Sequence, residues 1–165
     1  MEFFEVINKR QSIRSFNSLK QIPDGFLEKI VDAARLAPTA RNEQPWEFIC
    51  IKSKSSLEKL SQILDHGKFI KEASTAIVVV SKDTKYYLED GCAATENILL
   101  AAAGLGLGGC WIAGDKKAYA QEVLNFLNIP SGFKLVSILA LGYPKQDENK
   151  AAKRPLKEII HYEQF

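Results

Sequence analysis

The sequence predicts a chain of alternating helices and strands. Its simplest assembly is a parallel α/β sheet with right-handed crossovers, and the alternative is a mixed sheet with helices on both faces. Three observations carry this. Stretches of helical periodicity recur between short strand-like segments. Residues 75–81 (TAIVVVS) are continuously apolar at strand length, as a central strand is. Gly104, Gly106, Gly108 and Gly109 follow a long helical pattern and precede another strand, so they read as a helix stop and a tight turn.

In chain order, residues 2–9 form a short helix and 24–37 a stronger one. Asp24 is placed to cap the latter, Phe26, Ile30, Ala33, Ala34 and Ala37 share a face, and Pro38 ends it. Residues 47–52 read as a strand, and 55–64 as a helix with Leu57, Leu60, Ile63 and Leu64 in step. After strand 75–81, the longest helix, 87–105, has Leu88, Cys92, Thr95, Leu99 and Ala102 as its inner stripe. Then come a strand at 109–113, a helix at 118–127 and a strand at 135–141, which ends at Gly142, Tyr143 and Pro144. The tail 145–165 is basic first, then carries Ile159, Ile160, Tyr162 and Phe165, for which one compact chain has no evident home; a partner subunit would cover them.

With 165 residues the chain has the length of one domain, 1–165, and can build its own core. Lys plus Arg (22) nearly balances Asp plus Glu (20), so charge alone predicts neither a nucleic-acid nor a membrane partner. No segment approaches the roughly 18 apolar residues of a membrane span, and no basic region precedes an apolar stretch at the N-terminus. Three widely spaced cysteines, 50, 92 and 110, suit a reducing cytoplasm and interior thiols better than a disulfide framework.

The sequence has no P-loop, no C-x-x-C, no H-E-x-x-H and no G-x-S-x-G, so no metal or hydrolase triad is indicated. His66 and His161 read as surface residues. The glycine cluster does not suit a dinucleotide fingerprint, which must follow a strand and open a helix. Three other clusters carry chemistry. In an extended chain Arg10, Ser12 and Arg14 point to one side and form an anion site; otherwise they are a solvated basic stretch. Residues 37–46 (APTARNEQPW) make a proline-stiffened, amide-bearing loop able to read a heterocycle edge, or an ordinary connection anchored by Trp46. Residues 108–115 (GGCWIAGD) form a strand whose flanking glycines let backbone N–H groups approach a ligand, or simply a central strand.

In this order and spacing, the clusters resemble the FMN-dependent nitroreductase family. The resemblance rests on Arg10-x-Ser12-x-Arg14-x-Phe16 and on Ala37-Pro38-Thr39-Ala40-x-Asn42-x-Gln44-Pro45-Trp46. It continues through Asp90-Gly91-Cys92-Ala93-Ala94-x-x-Asn97, the glycines before Cys110-Trp111-Ile112, Leu141-Gly142-Tyr143-Pro144, and Lys153-Arg154-Pro155. It spans nearly the whole chain. It implies an α+β fold of three layers, α/β/α, around a central mixed, mainly antiparallel sheet, and an intertwined homodimer with FMN at the subunit interface.

By position, the resemblance puts Arg10 and Ser12 on the FMN phosphate, with Arg154 and Lys153 from the tail. Arg14 falls near the flavin pyrimidine edge. Pro38, Thr39, Ala40, Asn42 and Gln44 reach the flavin of the partner subunit, and the backbone at Ala113 and Gly114 faces flavin N5. It implies ping-pong reduction of nitroaromatics, quinones or similar small acceptors by NADH or NADPH, with no side-chain acid or base. Two departures stand out. The long insertion common in the family between strand 75–81 and helix 87–105 is missing, which implies an open site. Ala113 replaces an acidic residue of many longer members. The competing readings are a flavin-storage or sensing dimer with little turnover, and an α/β domain binding another phosphorylated ligand.

Overall fold

The computed structural model describes residues 2–146 and 150–165. Helices α1 (Phe3–Lys9) and α2 (Asp24–Arg35) precede strand β1 (Trp46–Ile51). Then come α3 (Lys54–Ile63), β2 (Thr75–Lys82), α4 (Tyr87–Gly104), β3 (Gly108–Ala113), α5 (Ala120–Phe126) and β4 (Phe133–Gly142). The strands form one sheet in the order β1-β2-β4-β3, and every neighbouring pair is antiparallel.

The parallel sheet is therefore corrected, and the connections explain why. β2 and β3 do run in the same direction, as a crossover through α4 requires. β4 inserts between them and pairs antiparallel with both. After β1 the chain runs through α3 and then back through residues 64–74, so that Ala76 at the start of β2 meets Ile51 at the end of β1. Helix α5 has seven residues, about 10 Å at 1.5 Å per residue, too short to carry the chain back along a ten-residue strand. Parallel pairing among the described residues is confined to the bridge between Ser12 and Gly109.

The continuous apolar run of β2 exists because both faces are covered. Ala76, Val78 and Val80 join Leu57, Leu60 and Val123 under α3 and α5. Ile77 and Val79 join Ile30, Ala34, Ala94 and Ile98 under α2 and α4. These are the three layers the resemblance implies. A bulge opposite Val79 and Val80 breaks the β2–β4 register. It turns Val136 and Ser137 of β4 both toward α4, where the Ser137 hydroxyl meets Thr95 Oγ1 at 2.7 Å, so neither buried hydroxyl lacks a partner.

Several local expectations shift. Asp24 is the first helical residue rather than the cap, which is Pro23, and its carboxylate pairs with Lys52. Helix α4 buries Gly91, Ala94, Thr95, Ile98, Leu99 and Ala102, while Leu88 and Cys92 are only half-buried. The helix ends at Gly104, and the turn beyond it needs Gly106 at φ +77°. Of the cysteines only Cys110 is interior; Cys50 lies exposed on the edge strand β1. Only residues 83–86 separate β2 from α4, so the long insertion is indeed missing. Residues 150–165 are exposed throughout, including Leu156, Ile159, Ile160, Tyr162 and Phe165.

Candidate functional site

The segment after α1 runs along the outer edge of β3. Ile13 N–H donates to the Gly109 carbonyl at 2.9 Å, Ser12 bridges Gly109, and Phe16 bridges Pro144. Ile13 and Phe16 are 4% and 2% exposed and pin the segment to the core. Because this stretch is extended, Arg10, Ser12 and Arg14 come to one side. They line a cavity of about 220 Å³, closed from the other side by Lys150 and Lys153. Arg10 Nε also pairs with Glu96 Oε1 of α4 at 3.7 Å. Four cations and a hydroxyl around one small volume are the donor set that an anion would need.

Arg14 belongs to a second cavity too. This one measures about 250 Å³ and is bounded by Phe69, Trp111, Ala113, Tyr119 and His66. The Tyr119 hydroxyl donates to the Ala113 carbonyl, and burial followed by the nearby Asp65 charge pushes its ionisation above the ordinary phenol range. On β3 the carbonyl of Gly109 points away from β4 to Ile13, and the register runs without a bulge to Ala113. With a period of two, Ala113 also directs its backbone polar groups outward at the sheet edge. Gly114 has a packing reason: a Cβ there would sit 2.6 Å from Leu135 Cγ and 3.0 Å from the Val136 backbone.

The loop Pro38–Gln44 lines neither cavity. Thr39 Oγ1 accepts from Gln44 N–H at 3.3 Å, Gln44 Nε2 donates to the Asn42 carbonyl at 3.4 Å, and Ala40 N–H donates to Asp90 Oδ1 at 3.0 Å. Arg41, Asn42 and Gln44 all have positive φ, 55°, 57° and 48°. Arg154 does not line the cation cavity; its guanidinium turns to the Glu158 carbonyl at 3.0 Å. One chain therefore gathers Arg10, Ser12, Arg14, Lys153 and Ala113, and leaves 38–44 and Arg154 elsewhere.

Sequence reasoning did not place Lys150, Phe69 or Tyr119 beside these cavities, and it quoted Asp90 and Trp111 only as motif residues without a role. The basic run of the tail was the signal for Lys150. Phe69 and Tyr119 carry no local signal, because only the fold brings them beside β3. Partial burial foremost pushes the Cys92 thiol up, away from the reactive thiolate.

The two cavities share Arg14: one is lined by cations and a hydroxyl, the other by Phe69, Trp111 and Tyr119. Residues 7–85 match the model of the nitroreductase family, and residues 49–165 match a model described as "Putative TM nitroreductase". A "Putative NADH dehydrogenase/NAD(P)H nitroreductase" of Archaeoglobus fulgidus is 39% identical over 99% of both chains. An FMN-dependent nitroreductase of Clostridium difficile R20291 superposes with a TM-score of 0.91 at 32% identity, covering 98% of this chain and 99% of that one. A protein of Bacteroides thetaiotaomicron described in the same terms as the Archaeoglobus relative superposes at 0.93, with 28% identity and 99% and 98% coverage. The model matching 49–165 and the Archaeoglobus relative establish that this chain belongs to the nitroreductase family.

Proposed function

We propose that the chain is an FMN-dependent NAD(P)H oxidoreductase that acts as a homodimer on small acceptors such as nitroaromatics and quinones. The observation that carries this reading is the cation cavity joined through Arg14 to an aromatic one. Arg10, Ser12, Lys150 and Lys153 would hold the phosphate. Arg14, at the junction, would favour electron uptake by its positive charge, and Ala113 would offer backbone N–H at the ring. When bound, FMN would supply hydride acceptance from NAD(P)H and delivery of reducing equivalents to the acceptor. The short connection 83–86 leaves the ring end without a long cover, which suits loosely specified acceptors.

Residues 1–165 act in this reading as one unit, and its site is completed by a second copy. The loop Pro38–Gln44 and Arg154 lie off the cavities of their own chain, and the exposed apolar residues of 150–165 need a surface to cover them. The resemblance likewise assigns the loop to the partner's flavin. No helix among the described residues is long and apolar enough to cross a membrane.

The test is the visible spectrum of the purified protein before and after anaerobic NADH or NADPH, with its mass measured by analytical ultracentrifugation. Flavin bands that bleach, on a dimer, are the expected result. Bands that persist with both donors would favour storage or sensing. A colourless protein that takes up no added FMN would overturn the reading and turn the cation cavity over to another phosphorylated ligand.

A further inference from the structure

Two side chains one helical turn apart at the start of α4 each hold a segment of the proposed site. Tyr87 and Asp90 are spaced i and i+3, so they project from neighbouring positions on the helix. Asp90 is 5% exposed, and its Oδ1 accepts from Ala40 N–H at 3.0 Å; its Oδ2 is buried without a hydrogen-bond partner among the described residues. Tyr87 OH donates to Asp115 Oδ1 at 2.6 Å, and Asp115 follows directly on Ala113 and Gly114.

Both held segments are strained. The first has Arg41, Asn42 and Gln44 at positive φ, and the second has Lys116 at φ 56°. L-residues disfavour this region, so it persists only where surrounding contacts over-determine it. A buried carboxylate is itself a costly anchor, and an apolar residue would serve packing alone better. We propose that the first turns of α4 act as a positioning bracket: Asp90 sets the loop 38–44, and Tyr87 sets the turn 113–116. The inference rests on the FMN reading for what the two segments face. In a homodimer it gives α4 a role beyond packing. The loop serves the partner's cofactor and the turn serves its own, so one helix end aligns parts of both sites.

The experiment combines amide hydrogen exchange by mass spectrometry on the full chain without cofactor and titration with FMN. Asp90→Ala should speed exchange of residues 38–44 by about 10-fold or more, as loss of a hydrogen bond to a charged group does. Exchange of 75–82 should not change. Asp90→Asn keeps both the volume and an acceptor and should stay within about threefold of the parent, while the unchanged exchange of 75–82 tells loss of the bracket from general packing damage. Tyr87→Phe should speed exchange of 113–118 and leave 38–44 as it was. The FMN dissociation constant should rise about 10-fold in Asp90→Ala and fall back in Asp90→Asn.

Unchanged exchange at 38–44 in a folded Asp90→Ala protein overturns the bracket. So does faster exchange with unaltered FMN affinity, which would leave Asp90 holding a loop outside the site. If Asp90→Ala does not fold, the parent protein decides through the Ala40 amide measured by NMR. Protection from exchange supports the bracket, and exchange at the free-chain rate overturns it. If the parent takes up no FMN, the functional reading fails, while the exchange results still decide whether α4 holds the two segments.

Discussion

The cation cavity has two walls of different construction. One is the segment from Arg10 to Arg14, stitched to β3 by backbone hydrogen bonding and anchored by the buried Ile13 and Phe16. The other is Lys150 and Lys153, on a tail whose described residues from 150 onward are all exposed. The first wall is pre-formed. Its guanidinium groups lose little further freedom when an anion arrives. The second wall is two lysine ammonium groups on an exposed tail: Lys150 donates to the Asn8 carbonyl, and the Lys153 side chain must be ordered on binding. The difference teaches that affinity should reside in the stitched wall, and that the tail should tune it.

The largest expected effect comes from breaking the stitched wall at its root. Phe16 is 2% exposed and lies against Phe69, with ring centroids 6.5 Å apart. Phe16→Ala should cost about 3–5 kcal/mol of stability, read as a lowered denaturant midpoint, because the vacated core volume cannot refill. Next is Arg10→Ala, which leaves the fold intact and should weaken FMN binding by about 10- to 100-fold in a fluorescence titration. A variant that retained parent affinity would show that the phosphate lies elsewhere.

Lys153→Ala tests the flexible wall. Its effect should stay under about fivefold at ordinary ionic strength and vanish at high salt, as for exposed charge contacts. A loss as large as that of Arg10→Ala would erase the distinction between the walls.

The smallest effect belongs to neither wall. The hydrogen bond that Tyr87 gives Asp115, helped by burial and the surrounding carboxylates, raises the Tyr87 pKa from 10.0 to about 12. A raised phenol pKa means the contribution is fully present below pH 10 and is lost as pH rises toward 12. The parent protein should therefore lose slightly more stability over that alkaline window than Tyr87→Phe does, in paired thermal melts.

Much of the fold was legible along the chain. The β2 run, the long α4 and its glycine stop sit where periodicity and turn chemistry put them, because those signals are local. The strand directions were not. β4 enters between β2 and β3 through long-range pairing that no window of sequence contains, and the return of the chain through 64–74 is invisible to periodicity. The site divided the same way. Arg10, Ser12 and Arg14 announced themselves by alternation in one extended stretch. Lys150 joins them across more than a hundred residues, and Phe69, Trp111 and Tyr119 meet only around the edge of β3.

What the sequence by itself determined is the set of elements and the chemistry they carry: apolar stripes, a glycine stop, a cationic stretch and an amide loop, each written in neighbouring residues. What only the tertiary structure decided is which of them share a volume. It brought the N-terminal cations to the tail lysines and joined two cavities at Arg14, and it sent the 38–44 loop to Asp90 rather than to either cavity. The reason is that strand order, register and side-chain meeting points minimise the free energy of the whole packed chain, whereas helix and strand preferences are settled within a few residues of each other.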